Sequence, residues 1–106
     1  MASELVNQLR NIRDKVNNLR IDDDKAKELE SLISKSIEII SKMKNPEHDF
    51  FDSRRQTAIT DLEDNLQKHL KGYWETGNKI EKISEFSRAR NDVNFVLNRI
   101  LSTFKR

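Results

Sequence analysis

Acid–base or metal chemistry needs titratable side chains brought together at set spacings, and this chain offers few of them. Its two histidines, His48 and His69, are the natural starting point. His48 lies between Glu47 and Asp49 in "NPEHD", which has the composition of a metal ligand set. Immediate neighbours in a loop rarely converge on one ion, however. No HxxxH or ExxH pairing places two ligands on one helix face. A polar loop is the expectation there. His69 sits beside Leu70 in a helical segment and reads as a residue at the core boundary rather than a general base. Carboxylates cluster at Asp22, Asp23 and Asp24, and again at Asp61, Glu63 and Asp64. Acid–base catalysis needs carboxyls whose pKa values are driven apart by burial, whereas these fall at exposed positions of the pattern. No glycine-rich phosphate loop and no G-x-S-x-G elbow is present. The expectation is a protein that is not an enzyme and uses no cofactor and no metal.

Two other features carry the potential for recognition. The C-terminal segment sets Lys79, Lys82, Arg88, Arg90, Arg99, Lys105 and Arg106 beside an apolar stripe that holds two phenylalanines. Such a helix can lie on an anionic membrane or fill a partner's groove; core packing explains the same stripe. Arg90 occupies a seam position. Either its stem covers the core while the head stays in water, or, together with Arg88, it forms a buried pair or holds an anion. Lys79, Lys82, Arg88, Arg90 and Arg99 are therefore the candidate contacts for anions, lipids or a partner. The second feature is "KGYWETGNK", Lys71 to Lys79, which contains both glycines and the single Tyr and Trp of the chain. Gly72, Tyr73, Trp74 and Gly77 are candidate hinge or contact residues. Adjacent aromatics on a helix point about 100° apart, so one can be buried while the other meets solvent. An exposed Trp at a loop tip makes a contact hot spot; a lid on the bundle end is the plainer reading.

The elements that must position these residues are helical. Leu5, Leu9, Ile12, Val16 and Leu19 recur in a strict heptad seam, with Ser3 able to cap the start. That seam suits an internal core or an intermolecular coiled coil equally well. "IDDDK" marks the start of a second helix, since aspartates favour a helix N-terminus. Ala26, Leu29, Leu32, Ile33, Ile37, Ile40 and Met43 form its apolar side, and Asn45-Pro46 stops it. A third begins near Asp52 or Ser53, either of which can cap, and carries Ile59, Leu62, Leu66 and Leu70; Phe50 and Phe51 precede it as a staple. The fourth carries Ile83, Phe86, Val93, Leu97, Ile100 and Phe104. Between them, one reading ends the third helix at Gly72, where glycine alone takes the left-handed conformation cheaply, and caps the fourth with Asn78 and Glu81. The other runs a single helix through both glycines, because Ile59, Leu62, Leu66, Tyr73, Ile80 and Ile83 hold one heptad phase. The break is the preferred reading. The fold class that results is all-α, an antiparallel up-down bundle of four helices over 3–20, 23–44, 53–71 and 78–105.

Composition agrees with that class. Charged residues make up 36% and hydrophobic ones 35% of the 106 residues, so apolar side chains suffice for narrow stripes but not for broad buried faces. The whole forms one domain over 1–106, which can stand within a larger protein. There is no cysteine, hence no disulfide and no thiolate chemistry. No apolar run reaches the roughly 18 residues of a membrane span, and a cytoplasmic location is expected. Residues 1–66 hold 11 Lys/Arg against 14 Asp/Glu, a net −3, and residues 67–106 hold 9 against 4, a net +5. The basic end favours an anionic partner. Nucleic acid is the weakest of these, because interleaved stacking aromatics and base-reading motifs are missing.

Best over residues 58–101, the chain resembles the N-terminal four-helix bundle (HeLo-type) domain of mixed-lineage-kinase-like pseudokinases, in "AITDLEDNLQKHL", "NKIEKIS" and "FVLNRILS". The resemblance implies a bundle released from a regulatory partner to disturb membranes through basic residues, here Lys79, Lys82, Arg88, Arg90 and Arg99. The chain departs from the family in its short third-to-fourth connection and in the segment after "EKIS". The three-helix regulatory domains of syntaxins are similar in pattern over residues 3–73. Two functions follow as expectations: a regulatory or adaptor bundle that binds another protein or itself as a homo-oligomer, and alternatively a bundle that binds an anionic membrane through its basic last helix.

Overall fold

Apolar residues three and four apart line one side of a helix, and here each such stripe forms one. The computed structural model describes residues 2–104, with all side chains among them but those of Ala2, Ser3 and Asp23. Among the described residues there are four helices and no strand: α1 (Ala2–Asn18), α2 (Asp23–Lys42), α3 and α4 (Lys79–Ser102). α3 is one rod in three parts, an α-helix Phe51–Asn65, a π-helical turn Leu66–Leu70 and a final α turn Lys71–Glu75. α1 packs on α2 and α4, and α3 packs on the same two. The result is an all-α, antiparallel up-down bundle measuring 47 × 22 × 20 Å. No helix among the described residues is long and apolar enough to cross a membrane.

The α1 seam is used internally. Leu9, Ile12, Val16 and Leu19 are buried in the same core as Leu29, Ile33, Ile40, Leu62, Phe86, Val93 and Leu97. A coiled coil with another chain would have to take this seam from the bundle itself.

The helix ends show how a chain with two glycines closes its turns. No described residue has a positive φ, so glycine caps in the left-handed conformation play no part. Two N-termini are capped locally. Asp22 Oδ1 accepts from the Asp24 amide at 3.0 Å, and Asn78 Oδ1 accepts from Ile80 and Glu81 at 2.9 and 3.1 Å. Glu81 reaches back only through Thr76, whose hydroxyl donates to Glu81 Oε2 at 2.6 Å and accepts from the Asn78 amide. The orphan carbonyls at the C-terminal ends are met by donors from elsewhere in the fold. Arg90 of α4 donates to Leu19 O at 2.8 Å, Arg55 of α3 to Met43 O at 2.8 Å, and Asn45 to Thr103 O at 2.9 Å.

Several boundaries differ from the expected ones. α1 starts at Ala2, so Ser3 lies within the helix and not at its cap, and its side chain is outside those described; Lys105 and Arg106 lie outside the described residues. α1, α2 and α4 end two or three residues early, within ordinary fraying. α3 begins at Phe51 with Phe50 in the cap position and no side-chain cap bond, so neither Asp52 nor Ser53 caps it. Burial of Phe51, edge-on to Phe104 at 5.4 Å, is worth more than a cap of ~1 kcal/mol. Phe50 does not share the staple; it is exposed.

The largest correction concerns Gly72. The helix does not end there; it continues to Glu75, and the break is Thr76–Asn78. A helical glycine costs ~1 kcal/mol relative to alanine, and burying Tyr73 one residue later outweighs it at ~2 kcal/mol. Gly72 serves by its size instead. A Cβ there would lie 2.5 Å from Glu85 Oε2. Because that oxygen ends a flexible side chain, Gly72→Ala is expected to raise stability by about 0.5–1 kcal/mol, with Glu85 turned outward. Urea unfolding followed by circular dichroism measures this; a loss of more than about 1 kcal/mol would show that Glu85 is fixed.

Candidate functional site

The π turn decides what α3 shows to α4. Buried α3 residues are Phe51, Ala58, Leu62, Asn65, Leu70 and Tyr73. Their one spacing of five falls across the π turn, where hydrogen bonds run from i to i+5. Asn65, just ahead of the turn, is buried, and Leu66, expected on the stripe, is only half-buried. The turn also swings His69 toward α4. Its Nε2 lies 3.2 Å from Asp92 Oδ2 and its Nδ1 lies 3.7 Å from Glu85 Oε2. Both ring nitrogens thus face carboxylates of α4. Among the described residues no hydroxyl is hydrogen-bonded to the ring, and the arrangement is that of a clamp between α3 and α4. His48 has no such partners, and its Nδ1 is buried without a hydrogen bond. Among the described residues no three His, Asp or Glu side chains are placed to hold a metal.

The basic residues of α4 do not form a common face. At about 100° per residue, Lys79 and Arg90 fall on one side of the helix and Arg88 and Arg99 on the opposite side. Lys79 is exposed. Lys82 is half-buried with Nζ 5.1 Å from the centre of the Tyr73 ring. Arg88 is exposed, with Nη1 3.8 Å from Glu85 Oε1. Arg99 lies 5.8 Å from the Phe95 ring centre. Arg90 neither snorkels freely nor pairs with an acid; it caps α1. Its positive charge also suits the negative end of the α1 dipole.

Of the "KGYWETGNK" candidates, Gly72 is helical and Gly77 lies in the open connection with nothing near its Cβ position. Tyr73 is buried, edge-on to Trp74 at 5.0 Å. Trp74 is not at a loop tip. It stands on the last turn of α3, where its Nε1 donates to Glu30 Oε2 of α2 at 3.0 Å. The stretch is thus a staple of α3 onto α2 followed by a three-residue turn.

What remains open to a partner is the outward side of α4. Ile80, Ser84, Ser87, Asn91, Asn94 and Asn98 follow spacings of 4, 3, 4, 3 and 4 along the side away from the most buried residues of α4; Ile80, Asn91 and Asn98 are exposed and Ser84, Ser87 and Asn94 half-buried. Not one is charged, in a chain where 36% of residues are. Ile80 is 78% and Phe95, beside this line, 62% exposed. Arg13 of α1 meets the line at Asn98, donating to Oδ1 at 3.2 Å. Sequence reasoning missed this face because it followed the apolar seam; the matching polar seam was there to be read at the same period. Compared with models of protein families, with curated proteins and with solved structures, the chain finds no match.

Proposed function

We propose that this chain is a non-enzymatic bundle that works by protein–protein interaction through the outer face of α4, in the first instance with a second copy of itself. The observation that carries this is the uncharged heptad line with Ile80 exposed on it and Phe95 exposed beside it. Interface cores are depleted in Lys, Glu and Asp and enriched in aromatics, and a line without charge removes the desolvation cost of close approach. A second copy fits the flank of the line. Glu81, Arg88, Asp92 and Arg99 are exposed and lie within about 40° of arc on one side of it. Residues 81 and 99 are symmetric about residue 90, and so are residues 88 and 92. Antiparallel pairing of two α4 helices about Arg90 sets each acid level with a base of the second copy.

Light scattering across dilution tests this reading. The mass is expected to rise from 12.5 kDa toward twice that value at protein concentrations of ~10 µM to ~1 mM, the range of small transient interfaces. Phe95→Asp is expected to raise the dissociation constant at least tenfold with helicity unchanged. A wild-type mass fixed at 12.5 kDa throughout removes self-association. The membrane alternative has less support, since the basic residues diverge around α4 and its apolar stripe is buried; sedimentation with anionic vesicles at low salt would revive it.

A further inference from the structure

We infer that Thr76–Asn78 is a hinge at which α3 and α4 straighten into one helix, so that two copies of the chain exchange their α4 helices. The connection has only these three residues between the two helices. Its backbone is already near helical values in φ. Thr76 has φ −79° and ψ 141°, and Asn78 has φ −94° and ψ 121°. A helix has φ of about −63° and ψ of about −42°, so the change is chiefly a rotation of ψ. Neither glycine has a positive φ that would have to be reversed. Gly77 is exposed, and a Cβ there would meet nothing within 4 Å, which leaves room for the rotation.

The second observation is phase. Leu70 and Tyr73 of α3, Gly77, and Ile80, Ser84 and Ser87 of α4 follow spacings of 3, 4, 3, 4 and 3. In an unbroken helix these residues share one side. Leu70 and Tyr73 are buried, whereas Ile80 is 78% exposed. Where two straightened helices cross, the small Gly77 lets the backbones approach and each Ile80 is covered by the second copy. The hydrogen bonds at the turn can be exchanged one for one. The Asn78 amide donates to the Thr76 hydroxyl, and the Ile80 and Glu81 amides donate to Asn78 Oδ1. In a straight helix the same amides donate to carbonyls four residues back. Thr76 N to Gly72 O and Lys82 N to Asn78 O, both 3.0 Å, are helical bonds already. The rest of the fold is unchanged by exchange. α4 packs on α1 and α3, and it makes the same contacts with α1 and α3 of the second copy. The straightened helix Phe51–Ser102 is about 78 Å long. Exchange does not rest on the pairing of outer α4 faces proposed above.

The test is refolding of the full chain from urea at ~1 mM, followed by dilution and sedimentation velocity. A fraction at twice 12.5 kDa is expected, and it should persist after dilution, because separation requires α4 to leave a core. Two substitutions at Gly77 act in opposite directions. Gly77→Pro is expected to abolish the persistent dimer: proline breaks a continuous helix, while the extended Thr76 suits the residue before a proline in the turn. Gly77→Ala favours the continuous helix and is expected to raise the dimer fraction at least about threefold. Spin labels give a second reading in a chain with no cysteine of its own. Ser53→Cys and Ser102→Cys, each labelled in a separate preparation and refolded together, place labels at the end of the bundle where Phe51 meets Phe104. Exchange brings residue 53 of one copy beside residue 102 of the other, at less than about 30 Å. Pairing of outer α4 faces about Arg90 sets these positions about 36 Å apart or more. Should the proline variant not fold, the alanine variant and the label distances decide. A persistent dimer in Gly77→Pro, equal dimer fractions in the wild type and Gly77→Ala, no persistent dimer in any chain, or label distances above about 35 Å would each overturn the inference. Phe95→Asp is expected to leave the persistent dimer unchanged, so the two proposals fail separately.

Discussion

Phe86→Ala is expected to lower the urea midpoint of unfolding by about 2–3 M, from a loss of about 3–5 kcal/mol at roughly 1.5 kcal/mol/M. Phe86 is fully buried on α4, tilted against Tyr73 at 6.1 Å. Tyr73 in turn stacks edge-on to Trp74, so the three rings join the last turn of α3 to the middle of α4. Removing one ring leaves a cavity that two helices would have to move together to close. A domain of this size holds about 5–15 kcal/mol in total, so the loss is a large share of it. The effect should be read from circular dichroism with the slope unchanged. A shift smaller than about 0.5 M would mean that this end of the bundle packs loosely and that the Gly72 to Glu75 turn is not held by its aromatics.

Arg90→Met is expected to cost about 1.5–3 kcal/mol, the range for a hydrogen bond to a charged group, although it keeps the apolar stem. The guanidinium is the donor for Leu19 O across 71 residues, and α1 has no glycine cap to replace it. Arg90→Lys should recover only part of the loss, since a flexible ammonium does not hold the fork geometry. Amide exchange gives a second reading: protection should fall first in the last turn of α1. If Arg90 served an anion or a membrane instead, Arg90→Met would change stability by less than about 0.5 kcal/mol and exchange at α1 would not change.

How far the fold was legible depends on the range of the forces involved. The α1 heptad, the helix start at the three aspartates and the cap at Asn78 rest on interactions within four residues, and each is where the sequence puts it; α2 stops at Lys42, two residues before the end expected ahead of Pro46. Gly72 was misread because its local preference of ~1 kcal/mol is smaller than the tertiary gain from burying Tyr73. The π turn has no local signature. It falls where the buried positions of α3 step five residues, from Asn65 to Leu70, and the apolar Leu66 is left half-buried. Arg90, Arg55 and Trp74 find partners 71, 12 and 44 residues away, beyond what spacing along one helix can indicate. At the candidate site, the sequence alone marks neither Glu85 nor Asp92 as a neighbour of His69, because their approach depends on packing between α3 and α4. The seam on the side of α4 away from its most buried residues was fully legible, in the form of absent charge.

Pairing of α4 with α4 is tested most directly by splitting its charge pattern between two proteins. Arg88→Glu alone sets the introduced carboxylate against Asp92 of the second copy. Asp92→Arg alone sets the introduced guanidinium against Arg88 of the second copy. Like charges then face each other on both sides of the axis, and each variant should sediment as a monomer of about 12.5 kDa at concentrations where the wild type associates. Mixed in equal amounts, the two variants bring opposite charges level on both sides. The expected result at sedimentation equilibrium is recovery of twice the monomer mass in the mixture; a mixture no heavier than either variant, or variants that associate as well as the wild type, would contradict it.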